Sequence, residues 1–160
     1  MNLAEQLKTK FSDYVTEISE MRGESLAIVK REGILEVASF LKNDPGSQMD
    51  MLMDLFGVDF LHWEEKALRF EVVYNLYSTV KNHRLFVKIG IPEKDPIAPS
   101  VTSVWPAANW YEREAWDMFG VSFKGHPNQK RILMYEEFKG HPLRKDYAYN
   151  QRQPLIGPLN

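Results

Sequence analysis

Leu3, Leu7, Phe11 and Tyr14 recur at three- and four-residue steps, with Glu5, Lys8 and Lys10 between them. That spacing predicts a short amphipathic first helix covering one face of another layer. Ser25–Val29 is a brief apolar run bounded by polar residues and predicts a buried strand. Helical spacing returns at Ile34, Val37, Ala38 and Leu41, and Asn43-Asp44-Pro45-Gly46 stops it with breaker residues. Met49–Asp59 reads two ways: Met51, Leu52, Leu55 and Phe56 fit a helical face, while Gly57–Phe60 looks like a strand entry. Leu68–Tyr77 and Arg84–Ile91 are rich in Val, Phe, Tyr and Ile around the polar stretch Ser78–His83, the pattern of a β-hairpin. Pro92, Pro96 and Pro99 then predict a surface connection that joins neither helix nor sheet interior.

The most informative segment is Trp105–Gly120. Pro106 suits a first helical turn, good helix formers follow, and Gly120 suits a left-handed stop, so a helix of about three turns is predicted over 106–119. Ala108, Tyr111, Ala115 and Met118 share one face, and Glu112, Arg113, Glu114 and Asp117 occupy the others. Arg113 and Asp117 are four apart and are expected to pair. Beyond it one phrase occurs twice, Phe123-Lys124-Gly125-His126-Pro127 and Phe138-Lys139-Gly140-His141-Pro142, too short a repeat for a solenoid. Arg131–Met134 between them predicts a short strand or extended piece. Tyr147–Asn160, with Pro154, Gly157 and Pro158, lacks periodicity and reads as an extended tail ordered by a partner.

The expected fold class is therefore α+β. One two-layer domain over 1–122 carries a mixed sheet of four or five strands with helices on one face, and a basic, irregular C-terminal arm over 123–160 belongs to the same domain. A chain of 160 residues, 44% hydrophobic and 26% charged, is long enough to bury such a core without staples. It has no cysteine, which removes thiolate metal sites, cysteine-bound iron–sulfur clusters, cysteine nucleophiles and disulfides. No apolar run approaches a membrane span, and the mixed-charge start predicts no export signal.

Charge changes the picture. Residues 1–123 hold 13 Lys+Arg against 19 Asp+Glu, whereas 124–160 hold 7 against 3. Aromatics interleave with the basic residues at this end, but no nucleic-acid signature accompanies them, so no nucleic-acid partner is expected. His126 and His141, with Glu136, Glu137 and Asp146 nearby, invite a metal reading. Each histidine, however, follows a glycine and precedes a proline, and no HExxH spacing is present, which favours turns stabilised by hydrogen bonds. Glu112 and Glu114 are about 200° apart around a helix, so they cannot face one substrate together and read as solvated or partner-facing charges. No Gly-rich phosphate loop and no G-x-S-x-G context exists. Gly140–Tyr147 combines a stiff loop with Arg144, Lys145, Asp146 and Tyr147, residue types that anchor protein interfaces.

Tyr111–Val121, Phe123, Gly125-His126-Pro127, Arg131-Ile132-Leu133 and Gly140–Tyr147, in that order and spacing, closely resemble the 30 kDa (C-type) subunit family of respiratory complex I, the NADH:quinone oxidoreductase. The motif-bearing part is 103–147; the family often has proline where Tyr135 and Ala148 stand, which bears on loop geometry. The resemblance implies a member of the hydrophilic arm that carries no redox centre, catalytic residue or metal of its own. Its partners would be the large quinone-cavity subunit of the 49 kDa type and the small terminal-cluster subunit, which holds the last iron–sulfur cluster. Iron–sulfur clusters, FMN and quinone would sit in partner subunits, with membrane association through the complex, on the cytoplasmic side of a bacterial plasma membrane or its organelle equivalent. The residues expected at the partner interface are Glu112, Arg113, Glu114, Asp117, Gly120, His126, Pro127, Arg131, His141, Pro142, Leu143, Arg144, Lys145, Asp146 and Tyr147. The same likeness extends to scaffold subunits of membrane-bound [NiFe] hydrogenases and ferredoxin-using complexes. The competing reading from another class is a free-standing His/carboxylate metal enzyme.

Overall fold

The computed structural model describes residues 3–154, so Gly157 and Pro158 of the expected tail lie outside the described residues. Helix α1 spans Leu3–Lys10, shorter than the spacing to Tyr14 predicts. Ser12 and Asp13 favour a turn there, the Tyr14 N–H donates to the Phe11 carbonyl, and β-branched Val15 and Thr16 turn the chain into a strand.

That strand, β1 (Val15–Met21), escapes the sequence pattern because a register shift between Val15 and Glu17 breaks its alternation. It precedes β2 (Glu24–Val29) and α2 (Ile34–Asn43), both as expected. The ambiguous segment is β3, Met51–Asp59. Its irregularity between Leu52 and Asp54 shifts the phase, so Leu52 and Leu55, three apart, both face inward and imitate a helical spacing. The hairpin is β4 (Phe70–Ser78) and β5 (His83–Ile91).

These five strands form one mixed sheet in the order β1-β2-β5-β4-β3, antiparallel except between β2 and β5. The chain leaves β2 through α2 to the far edge, and the β3-β4-β5 meander brings β5 back beside β2. Phe70, Val72, Tyr74 and Leu76 alternate on β4, and Leu85, Val87, Ile89 and Ile91 on β5, all into one core. Leu7 of α1, Ile34, Val37, Ala38 and Leu41 of α2 and Ala108 and Ala115 of the third helix fill the same core. At about 1.5–3 kcal/mol for each large buried side chain, this single contiguous core is what holds the helices on the sheet.

The proline-rich connection departs from expectation by containing a strand, β6 (Ile97–Pro99), which pairs in parallel with β7 (Ser122–Lys124). Proline is tolerated there because the ladder is only two strands wide. Helix α3, Ala108–Phe119, starts two residues later than the predicted 106, with Pro106 in the turn before it, and ends at Gly120 in the left-handed conformation (φ 75°), as the sequence predicts. It packs over β3 so closely that a Cβ on Gly57 would lie 2.6 Å from the Phe119 ring.

Candidate partner interface around helix α3

Helix α3 carries two buried carboxylates, which corrects the reading of Glu112 and Asp117 as solvated or partner-facing charges. The expected Arg113–Asp117 pair is replaced by bonds to the following arm. Asp117 Oδ1 accepts from Arg131 at 2.6 Å, and Oδ2 accepts the N–H groups of Ile132 (3.0 Å), Leu133 (2.8 Å) and Met134 (2.9 Å). Arg131–Met134 is therefore no strand but a bent piece whose amides converge on one carboxylate. Burial by itself would raise the Asp117 carboxyl, but these amides and the guanidinium outweigh it and hold it below the ordinary carboxylate value. Arg113 instead donates to the carbonyls of Lys130 and Arg131 and stacks on exposed Trp110. Arg131 continues to the carbonyls of Phe138 and Gly140.

The second G-H-P phrase closes the helix. The last carbonyls of an α-helix have no partner within it. Here His141 Nδ1 donates to the Asp117 carbonyl (3.0 Å), the Leu143 N–H to Met118 (3.1 Å) and Arg144 Nε to Phe119 (2.6 Å), while the Gly120 N–H returns to Trp116. A cation on the C-terminal carbonyls also meets the negative end of the helix dipole. Burial lowers the pKa of both His141 and Arg144. A Cβ on Gly120 would lie 2.7 Å from the His141 ring, so glycine serves both the turn and the approach. The first phrase bonds the opposite end of the helix: His126 Nε2 donates to the Asn109 carbonyl in the first turn, and Nδ1 accepts from the Asn128 N–H. Both histidines thus sit in hydrogen-bonded turns, Gly125 and Gly140 supplying the positive φ. Among the described residues no group of three or more His, Asp or Glu side chains is arranged to hold a metal ion.

A third cluster was not foreseen. Asp59, at the inward end of β3, accepts from Arg69 on both oxygens (3.1 Å each), from the Leu61 N–H (3.0 Å) and from the Lys145 N–H (2.8 Å). Arg69 also meets Asp146 at 2.8 Å and Glu93. Burial again acts to raise Asp59, and Arg69 with the two amides outweighs it. Eighty-six positions separate Asp59 from Lys145, so no local pattern links them. The one available signal was a carboxylate at an inward position of a strand, two residues beyond Gly57.

Glu112 is the second buried acid of α3: Ser100 Oγ lies 2.7 Å from Oε2, and the Val101 N–H donates to Oε1 at 2.7 Å. Burial pushes its carboxyl up to about 7 against the pull of those two bonds. The remaining expected residues lie outward. Glu114, Leu143, Lys145, Asp146 and Pro127 are exposed, and Pro142 and Tyr147 are half-buried, Tyr147 stacked on Phe138.

The fold and these clusters define a class: a one-sided mixed sheet whose third helix is bonded, at buried carboxylates and C-terminal carbonyls, to a basic arm with an exposed outer surface. Residues 27–153 match the family described as respiratory-chain NADH dehydrogenase, 30 Kd subunit, and the chain belongs to that family. It is 47% identical over 141 residues to the NADH-quinone oxidoreductase C subunit of Roseiflexus castenholzii, covering 88% of this chain and 79% of that protein. With the corresponding C subunit of Geobacter metallireducens it shares 46% identity over 153 residues, 96% and 88% of the two chains. Among solved structures it is similar to a trypsin-resistant fragment (1–134) of Nqo5, with a TM-score of 0.70 and 33% identity over 80% of this chain and 99% of that one. It is also similar to a chain of the membrane-bound sulfane sulfur reductase, an archaeal respiratory membrane complex, with a TM-score of 0.73 and 25% identity over 91% and 84%. Among the described residues no helix is long and apolar enough to cross a membrane.

Proposed function

We propose that this chain is a non-redox structural subunit of the peripheral arm of an NADH:quinone oxidoreductase, helping to assemble the quinone-reducing module that couples electron transfer from NADH to proton translocation. In this reading the chain supplies no catalytic residue, metal or cofactor. Iron–sulfur clusters, FMN and quinone belong to neighbouring subunits. The large quinone-cavity subunit and the small terminal-cluster subunit pack on the outer surface of the 123–154 arm, on the cytoplasmic side of a bacterial membrane or its organelle equivalent. The observation that carries it is the division of labour in the motif. Asp117, Arg131, His141 and Arg144 are consumed inside the chain and tie the arm to α3, while Leu143, Lys145 and Leu133 are left outward on it. A preorganised apolar and basic rim loses little entropy on docking.

Leu143→Asp combined with Lys145→Glu should leave the unfolding midpoint of the chain nearly unchanged and abolish co-purification with the large and cluster-bearing subunits from native membranes. Unchanged assembly and quinone reduction would remove the arm as the docking surface. The likeness to the sulfane sulfur reductase chain favours a second reading, an equivalent scaffold in a related membrane complex with a different electron donor. Mass spectrometry of the co-purified subunits separates the two, since a flavin-bearing NADH module accompanies only the first.

A further inference from the structure

Glu112 is wholly buried, yet among the described residues no cation touches it. The loop from Ser100 to Trp105 offers hydroxyls, one amide and apolar groups but no charge. From β4 the facing titratable group is the Tyr74 phenol, itself buried and, among the described residues, without a hydrogen-bond partner, its own ionisation pushed well upward by burial and by Glu112. On β3 the inward carboxylate, Asp59, is already held by Arg69. From α2 the Lys42 ammonium reaches the loop, but at the Val104 carbonyl. A carboxylate left in such a place is strongly disfavoured relative to the neutral acid.

The hydrogen bonds also suit the neutral acid. Ser100 Oγ lies 2.7 Å from Glu112 Oε2 and 2.8 Å from Thr102 Oγ1. A hydroxyl both donates and accepts. With the proton on Oε2, the carboxyl donates to Ser100, the Ser100 proton passes to Thr102, and Oε1 still accepts the Val101 N–H. The carboxyl, the Ser100 hydroxyl and the Val101 N–H are then all paired without charge.

We propose that Glu112 is a proton-operated latch on the 100–105 loop: protonated, it holds the loop shut against α3; deprotonated, it drives the loop to open so that the carboxylate can reach water. The loop is placed to transmit this, because it ends at Trp105, whose indole N–H donates to the Met49 carbonyl beside the start of β3. The sign follows from linkage. Below the ordinary value of 4.5 the acid is neutral open or shut, and pH changes nothing; between 4.5 and about 7 only the open form releases the proton; above about 7 both forms are ionised and the effect is complete. Opening should therefore grow by up to about tenfold per pH unit within that window and level off above it.

The test is hydrogen–deuterium exchange of the full chain from about pH 4 to about pH 9, with the Val101 and Thr102 amides corrected for intrinsic exchange and referenced to β4 and β5. The wild-type loop should show the rise and plateau; Glu112→Gln should show a flat profile; Tyr74→Phe should keep the rise, because the phenol does not titrate in this range. A wild-type loop whose opening does not change with pH overturns the proposal, as does a Glu112→Gln profile matching the wild type or a rise that disappears with Tyr74→Phe. Should Glu112→Gln fail to fold, the wild-type profile and a direct carbon-13 titration of the Glu112 carboxyl decide the matter: a carboxyl already ionised at about pH 5 overturns it.

Discussion

Asp117 shows how much one side chain can organise when it is buried with its donors. Its two oxygens take one guanidinium and three consecutive amides, fixing the path of the arm over 131–134. Asp117→Ala would leave Arg131 and those amides facing an apolar void. Removing one partner of a buried ion pair costs about 3–5 kcal/mol, so chemical denaturation should show a loss of that order, whereas Glu114→Ala, on an exposed position, should be close to neutral. The acid response has a definite sign. The folded carboxyl lies below its ordinary 3.8, so its contribution is whole above about pH 4 and is lost as the pH falls through the lowered folded value. Asp59 adds to the same acid loss, while Glu112 acts oppositely, favouring the fold as the pH falls from about 7 toward 4.5. The Asp117 variant should accordingly show a shallower fall in stability below about pH 4 than the wild type.

Helix α3 is positioned by what it presses on and by what closes its end. The contact of the Phe119 ring with Gly57 on β3 sets the spacing, since a methyl group there would sit 2.6 Å from a ring carbon. Gly57→Ala should therefore cost about 1–3 kcal/mol by overpacking, read as a lowered unfolding midpoint, and Phe119→Leu in the same chain should recover part of it by making room. How far each element could be read follows from where its information resides. The existence and the stop of helix α3 were legible because its helix formers and Gly120 are local signals, whereas Pro106 lies in the turn before Ala108 rather than in the first helical turn. The β4–β5 hairpin was legible because period-two alternation is local too. β1 and β3 were not, because their register shifts add a residue and move apolar positions out of phase, which no count of apolar spacing can separate from a helix turn or loop.

Across the whole molecule, two ion pairs among the described residues join the acidic 1–123 part of the chain to the basic arm. Arg131 is paired with Asp117, and Arg69 joins Asp59, Asp146 and Glu93 where the end of β3, the start of β4 and the arm converge. Arg69→Met should release residues 143–147, seen as faster amide exchange and easier proteolysis there, while β4 and β5 keep their protection; equal loosening of both would mean that Arg69 supports the core as a whole. Of the candidate interface residues, the sequence placed the turns at His126 and His141 and the helix stop at Gly120, but it misjudged Glu112 and Asp117, because the residue types of a solvated helix face and of a buried hydrogen-bonded one are identical. By itself the sequence determined the family, the α+β class, helix α3 and the stiff turns, since periodicity, glycine and proline act on neighbouring residues. Strand order, the capping of α3 by Gly140–Arg144, the Asp59–Arg69 junction and the burial of two carboxylates were decided only by tertiary structure, because each joins groups tens of positions apart whose energies exist only once the core has closed.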